Sequence, residues 1–370
     1  VKASFDSDLF NWLNVGVNMA YSHYKNNGII SGQGSNRAGV VLSVINTPTY
    51  APIWNPNNPK QYFNDFYGAK NLTSPLENLA RTESNFDQTD RLLLTGEATI
   101  KFTKDFKFKS TVTMDRRWVH SFQFLDPVKT DYGRTQHGYA SDTRSDDRRM
   151  VYDNIFTYNA TWNAKHNFEA MGGTSATTSV WEQLWGERSY FNPDHIIIGL
   201  NGGNKTGAYG NSQSKSEWSI MSFLGRVSYN YDSKYYITAN VRADGSSKLA
   251  PGHRWGYFPS VSAAWRVSGE DFMESVTWTN DLKVRLSWGQ SGNQSGLGDY
   301  AWVRKYAMVY HDWTLDSNAT AVPSLGAETS KGYRDLTWET TTQTNLGMDW
   351  SMFDSSLTVT MDADYKYTKN

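Results

Sequence analysis

Residues 221–267 alternate strictly between apolar and polar positions. Met221, Phe223, Gly225, Val227 and Tyr229 interleave with Ser222, Leu224, Arg226, Ser228 and Asn230. The polar turn Tyr231-Asp232-Ser233-Lys234 follows. The alternation then resumes, with Tyr235, Ile237, Ala239 and Val241 opposite Tyr236, Thr238, Asn240 and Arg242. A period of two over about ten residues predicts strands whose two faces meet different media. A soluble sandwich and a membrane barrel both satisfy that pattern, but the barrel turns its apolar face to lipid and its polar face to a wet lumen.

The same period predicts twelve strands along the chain, near residues 1–5, 12–24, 91–102, 106–118, 150–162, 166–174, 221–230, 235–242, 256–267, 282–289, 338–350 and 357–367. Short connections at 6–11, 103–105, 163–165, 231–234 and 353–356 alternate with long ones at 25–90, 119–149, 175–219 and 289–337. The link at 244–255 is a shorter member of the long set, and 268–281 a longer member of the short set. Short turns at one end and long loops at the other are expected of an outer-membrane barrel, and a sandwich gives no reason for that regularity. The fold class predicted is therefore all-β, an antiparallel transmembrane β-barrel with short periplasmic turns and long extracellular loops. The first residues already alternate like a strand and the last residues stop in or just after one, so residues 1–370 are expected to be a segment of a longer barrel protein.

Composition narrows the choice. The 370 residues carry a formal net charge of -1 and a pI of about 6.7, with no basic surface to suggest nucleic acid. The absence of cysteine excludes a disulfide scaffold and thiolate metal sites. The mean hydropathy of -0.62 and the lack of a long apolar run exclude transmembrane helices but not a barrel, half of whose positions face water. Aromatic residues make up 15% of the chain. Trp12, Tyr24, Trp118, Trp162, Tyr229, Tyr231, Tyr235, Trp265, Trp288, Trp350, Tyr365 and Tyr367 fall at or near predicted strand ends, where barrels place interfacial girdles. Aromatic packing at the mouth of a sandwich is the alternative.

Three ordered motifs resemble the SusC/RagA family of TonB-dependent outer-membrane transporters from Bacteroidetes. The first is Arg242-Ala243-Asp244-Gly245-Ser246-Ser247-Lys248 followed by Arg254-Trp255-Gly256-Tyr257-Phe258-Pro259-Ser260. The second runs Leu282-Lys283-Val284-Arg285-Leu286-Ser287-Trp288-Gly289-Gln290-Ser291-Gly292-Asn293-Gln294, and the third is Leu336-Thr337-Trp338-Glu339 with Asn345 and Gly347. Thr47-Pro48-Thr49-Tyr50-Ala51-Pro52 is a weaker fourth. The resemblance covers the whole chain as a pattern and about residues 220–370 as motifs. It implies a twenty-two-stranded barrel, an internal plug, a SusD-like surface lipoprotein as lid, and TonB-driven import of glycan oligomers or peptides. No plug or TonB box is recognisable in these residues, and twelve strands leave edges that lipid does not tolerate.

Candidate site residues fall into two sets. Arg226, Arg242, Arg266, Arg285, Glu339 and Asp362 occupy polar phases of their strands and are candidates for lumen or plug contacts. Trp54, Tyr62, Trp181, Trp185, Trp302 and Trp313 fall in predicted loops, where exposed rings suit sugar stacking or lid docking; packing of the loops against each other explains them equally. The Asp244–Ser247 tip is expected to be a turn in which Gly245 supplies a positive φ. Catalytic patterns are poor. Gly199-Leu200-Asn201-Gly202-Gly203-Asn204-Lys205-Thr206 has Asn204 where a phosphate loop needs glycine, and the seven histidines show no metal-ligand spacing. No cofactor is predicted. A soluble carbohydrate-active enzyme and a passive porin or adhesin remain the alternatives to transport.

Overall fold

The computed structural model describes residues 1–27, 40–63, 74–80, 85–128, 131–194, 197–205, 210–311 and 322–369. Seventeen strands form in these residues: β1 (Lys2–Phe10), β2 (Leu13–Asn26), β3 (Trp54–Asn55), β4 (Asn58–Tyr62), β5 (Phe86–Lys101), β6 (Phe106–Leu125), β7 (Tyr139–Trp162), β8 (His166–Phe191), β9 (Gly203–Lys205), β10 (Asn211–Tyr231), β11 (Tyr235–Ser246), β12 (Trp255–Arg266), β13 (Thr279–Asn293), β14 (Lys305–His311), β15 (Val322–Ser330), β16 (Glu339–Met352) and β17 (Leu357–Lys369). Twelve of them make one antiparallel meander in the order β1-β2-β5-β6-β7-β8-β10-β11-β12-β13-β16-β17, with β9 added beside β8. The hairpins β3–β4 and β14–β15 stand apart from it. The large sheet is open, with β1 and β17 at its edges.

Directly paired residues share a face of a sheet. The unbroken register from β2 to β12 therefore sorts most of the chain into two surfaces. One face displays Val17, Phe156, Val227, Ile237, Val261, Leu286, Leu346 and Met361, all exposed with no protein over them. On the other, the row Lys109, Ile155 and Gly173 neighbours the polar row Glu97, Thr111, Asp153 and Ser175. The apolar face has a sharp upper limit. Met19, Leu94, Met114 and Met150 lie on one row, and four residues further up His23, Asp90, Trp118, Asp146, Glu182 and Lys215 share another. That change from thioethers to charges is what a hydrocarbon boundary requires.

The short turns are built from left-handed backbone. Asn163 and Ala164 (φ 49° and 55°) and Asp232 and Ser233 (φ 51° and 54°) each occupy both central positions of the tight turn within a three-residue hairpin loop. This primed turn matches the twist of the flanking strands. In the second hairpin the Lys234 N–H donates to the Tyr231 carbonyl at 2.9 Å, and the Ser233 N–H donates to Asn230 Oδ1 at 2.9 Å.

Strand lengths correct several sequence expectations. The residues 6–11 expected as a turn belong mostly to β1, and the turn is the pair Asn11-Trp12. The expected loops 119–149 and 175–219 are largely strand, since β6 runs to Leu125, β7 begins at Tyr139, β8 runs to Phe191 and β10 begins at Asn211. At about 3.3 Å per residue, the 26 residues of β8 span on the order of 85 Å, far beyond the ~9–11 residues that cross a bilayer. The excess rises above the apolar band, so polar side chains on both faces hid the strand from a search for alternation between apolar and polar. Tyr24, expected in an aromatic girdle, pairs beside Thr89 on the polar face, while Trp162, Tyr229, Tyr235, Trp265 and Trp350 do line the apolar face at the short-turn end.

Candidate functional site

The three motifs converge on the polar face at the long-loop end. Leu249 is fully buried, and Phe258 and Trp338 are each 7% exposed. They form one apolar cluster, with Ile220, Leu297 and Leu336 packed against it. The Phe258 and Trp338 rings meet edge to face at 5.4 Å. A side chain at Gly256 would strike Phe258 at 2.5 Å and Trp338 at 2.8 Å, and one at Gly292 would strike Phe258 closer still. The glycines of the second and third strands of this region are thus the floor under one aromatic ring. Gly245 has the same purpose: a Cβ there would meet the Trp255 indole at 2.8–3.0 Å. Gly245 lies in the extended ladder of β11, which corrects the expectation of a positive-φ turn residue. Close approach, not backbone freedom, demands glycine at this position.

Around this core the segments 247–254 and 294–303 are pinned to β10. Ser247 and Ser219 exchange bonds, the Ser247 N–H donating to the Ser219 carbonyl at 2.9 Å and the Ser219 N–H to Ser247 Oγ at 2.8 Å. The Ser246 hydroxyl donates to Gln294. Lys248 Nζ is 2.9 Å from Asp299 Oδ1 in a largely buried pair, and Ser216 Oγ donates to Asp299 at 2.5 Å. Burial pushes the Asp299 carboxyl up, but the Ser216 hydroxyl and the Lys248 ammonium outweigh it and hold the group below its ordinary value. Trp302 donates from its indole N–H to the Ser247 carbonyl at 3.1 Å, and Trp338 to the Arg254 carbonyl at 2.9 Å.

The predicted site residues separate as follows. Trp54 and Tyr62 come together, stacked at 4.6 Å across the β3–β4 hairpin. Trp181 and Trp185 are not loop residues. They lie in β8 and pair with Asp147 and Thr143 of β7, on the polar face of the extended strands, because that hairpin continues well above the apolar band. Trp302 joins the pinned cluster. Trp313 lies outside the described residues.

On the polar face, Arg242 bonds Asp244 at 2.8 and 2.9 Å and Ser222 at 3.0 Å. Arg266 donates to Asp281 at 2.7 Å. Arg285 lies 2.8 Å from Asp349 and 3.3 Å from Asp362, in space left by Gly347, where a Cβ would fall 2.6 Å from Asp362 and 2.9 Å from Arg285. Glu339 accepts from Asn293 at 3.0 Å. Arg226 has no ion pair among the described residues. These side chains therefore form a wall in which most charges are matched to neighbours on adjacent strands, leaving a charged but nearly balanced surface toward the interior.

Residues 12–370 match the family described as TonB dependent receptor-like, beta-barrel. The chain belongs to that family. The sheet is part of its transmembrane barrel, the apolar face is the lipid face, the polar face is lumenal, and the protein is a component of the bacterial outer membrane. Among relatives, TonB-dependent receptor P39 of Formosa agariphila is 27% identical over 369 residues, which are 98% of this chain and 33% of that receptor. TonB-dependent receptor SusC of Bacteroides thetaiotaomicron is 31% identical over 153 residues, 40% of this chain and 15% of SusC. The RagAB peptide transporter structure superposes with a TM-score of 0.79 at 22% identity, covering 99% of this chain and 40% of that one. The chain thus spans about a third of the length of the P39 receptor, and the SusC/RagA resemblance read from its motifs holds.

Lys248, Asp299, Trp218 and Ser216 were missed as site residues. Lys248 closes a motif and carried no separate signal. Asp299 lies in an aperiodic loop, and Trp218 and Ser216 were assigned to a loop that is strand.

Proposed function

We propose that this chain is the wall of an active importer that takes oligomeric nutrients, glycans or peptides, across the outer membrane. The observation that carries this reading is the match of residues 12–370 to the TonB-dependent receptor barrel, joined to the likeness to SusC. On this reading residues 1–370 supply barrel strands only. The plug, the TonB box and the remaining strands belong to parts of the protein outside them, and β1 and β17 pair with those strands, because unpaired edge groups cost several kcal/mol each in hydrocarbon. TonB energises the plug, and a SusD-like lipoprotein closes the long-loop end. The name of the RagAB structure as a peptide transporter keeps peptides within the substrate range alongside glycans.

The test is growth and uptake in the native host. Deleting the full-length gene abolishes growth on one class of oligomer, and restoring it in a strain lacking TonB function does not rescue uptake. Uptake that persists without TonB would show a passive pore instead.

A further inference from the structure

Resting on the importer reading, a second feature of the pinned cluster defines a ligand site. A cavity of about 390 Å³ opens between β10, the 247–254 segment and the 294–303 segment, lined by Trp218, Trp302, Tyr300, Ser179, Ser247 and Arg254 among others. Its aromatic walls are rigid, since the Trp302 indole N–H is fixed on the Ser247 carbonyl and the Tyr300 hydroxyl accepts from the Glu217 N–H at 3.2 Å.

Two guanidiniums attend these rings. Arg254 lies 5.5 Å over Trp302, and Arg149 lies 5.6 Å over Trp218, beside Ser179 in register. Neither has a carboxylate within ion-pair distance among the described residues, whereas the lining acids are already matched, Asp299 to Lys248 at 2.9 Å and Glu217 to Lys215 at 3.3 Å. Elsewhere on this face most arginines are neutralised by neighbouring aspartates, as Arg91 is by Asp115 and Arg117 by Asp147. Stacking on an indole holds a guanidinium in orientation while leaving its N–H edge open to an anion.

We propose that this cavity is a lumenal subsite for an acidic sugar unit, a uronate within an imported glycan. Flat rings flanked by hydroxyls suit a pyranose, the volume admits one or two such rings, and Val180 is the only branched aliphatic lining residue to serve an apolar peptide side chain. The carboxylate meets Arg254, which lines the cavity and is held only by a long 3.4 Å bond to the Leu249 carbonyl among the described residues, while Arg149, stacked on Trp218 and facing Asp115 across the ladder, adds positive charge from behind that ring.

The test uses the purified full-length receptor in detergent, titrated with an oligogalacturonate and with its methyl ester. The acidic oligomer binds more tightly than the ester. R254Q weakens it by about tenfold, the scale of one charge-assisted hydrogen bond, and R149Q weakens it by less, while both leave the ester unchanged. R254K, which keeps the charge, restores part of the loss, and heat-modifiable gel mobility confirms that each variant is folded. Equal affinity for acid and ester, or unchanged affinity in folded R254Q and R149Q, overturns the site. A poly-glutamate peptide that binds as tightly, with the same sensitivity to both variants, overturns the glycan assignment. Binding in detergent does not depend on TonB, so failure here is distinct from failure of TonB-dependent uptake in cells.

Discussion

Lys248 Nζ sits 2.9 Å from Asp299 Oδ1, tying the loop after β11 to the loop after β13 across the polar face of β10. The pair is mostly buried and shares its carboxylate with Ser216, so it holds two long-loop segments to one strand. A motif that ends in lysine thus acts on a residue fifty-one positions away.

The carboxyl of Asp299 is held below its ordinary value, so the pair stabilises fully above the unfolded-state carboxylate pKa of about 3.9 and is lost as the pH falls through the lower folded value. Hydrogen exchange of residues 294–303 is expected to stay protected from neutral pH down to about 4 and to rise below it. Asp299→Asn should reduce the protection there above about pH 4, by an opening free energy lower by about 1–3 kcal/mol, and should match the wild-type chain once the carboxyl is protonated. Exchange indifferent to both changes would show that the loop is held by other contacts.

Gly292→Ala drives a methyl into the Phe258 ring, which cannot retreat because Trp338 and Gly256 close the other side. The variant is expected to lower the unfolding temperature of the full-length barrel in detergent, at an overpacking cost of about 1–3 kcal/mol. Phe258→Ala should cost about 3–5 kcal/mol, and the double variant should cost less than the sum of the two. Additive losses would separate the glycine from the ring.

Val227 and Ser228 are neighbours on opposite faces of β10, one paired with Ala239 and the other with Thr238. Val227→Arg places a charge in hydrocarbon one row from the Tyr229 ring and is expected to cost about 1–2 kcal/mol, between the midplane and interface values. Ser228→Arg meets a wet lumen and should change stability by less than about 1 kcal/mol. Folding titrations into lipid vesicles compare the two, and a reversed order would invert the faces.

Alternation showed the membrane-embedded parts of all twelve main strands, because there the two faces meet opposite media and every second residue must differ. It failed for the upper parts of β6, β7, β8 and β10, where Arg144, Asp146 and Glu182 on one face oppose Ser145, Asp147 and Gln183 on the other. Both faces are wet at that height, so no periodic signal exists. Trp181 and Trp185 were read as loop residues for that reason. Trp302 was identified as a ring of interest, but its partner Arg254 is forty-eight positions away, and only the fold brings them together.

Local sequence therefore determined the fold class, the lipid-facing band and the family, since each follows from the medium beside a residue or from a contiguous motif. Tertiary structure alone decided why the motif glycines are there, which charges in the wall are matched, and that Arg149 and Arg254 are not. Those outcomes depend on register between distant strands, where a carboxylate either does or does not fall within reach of a guanidinium.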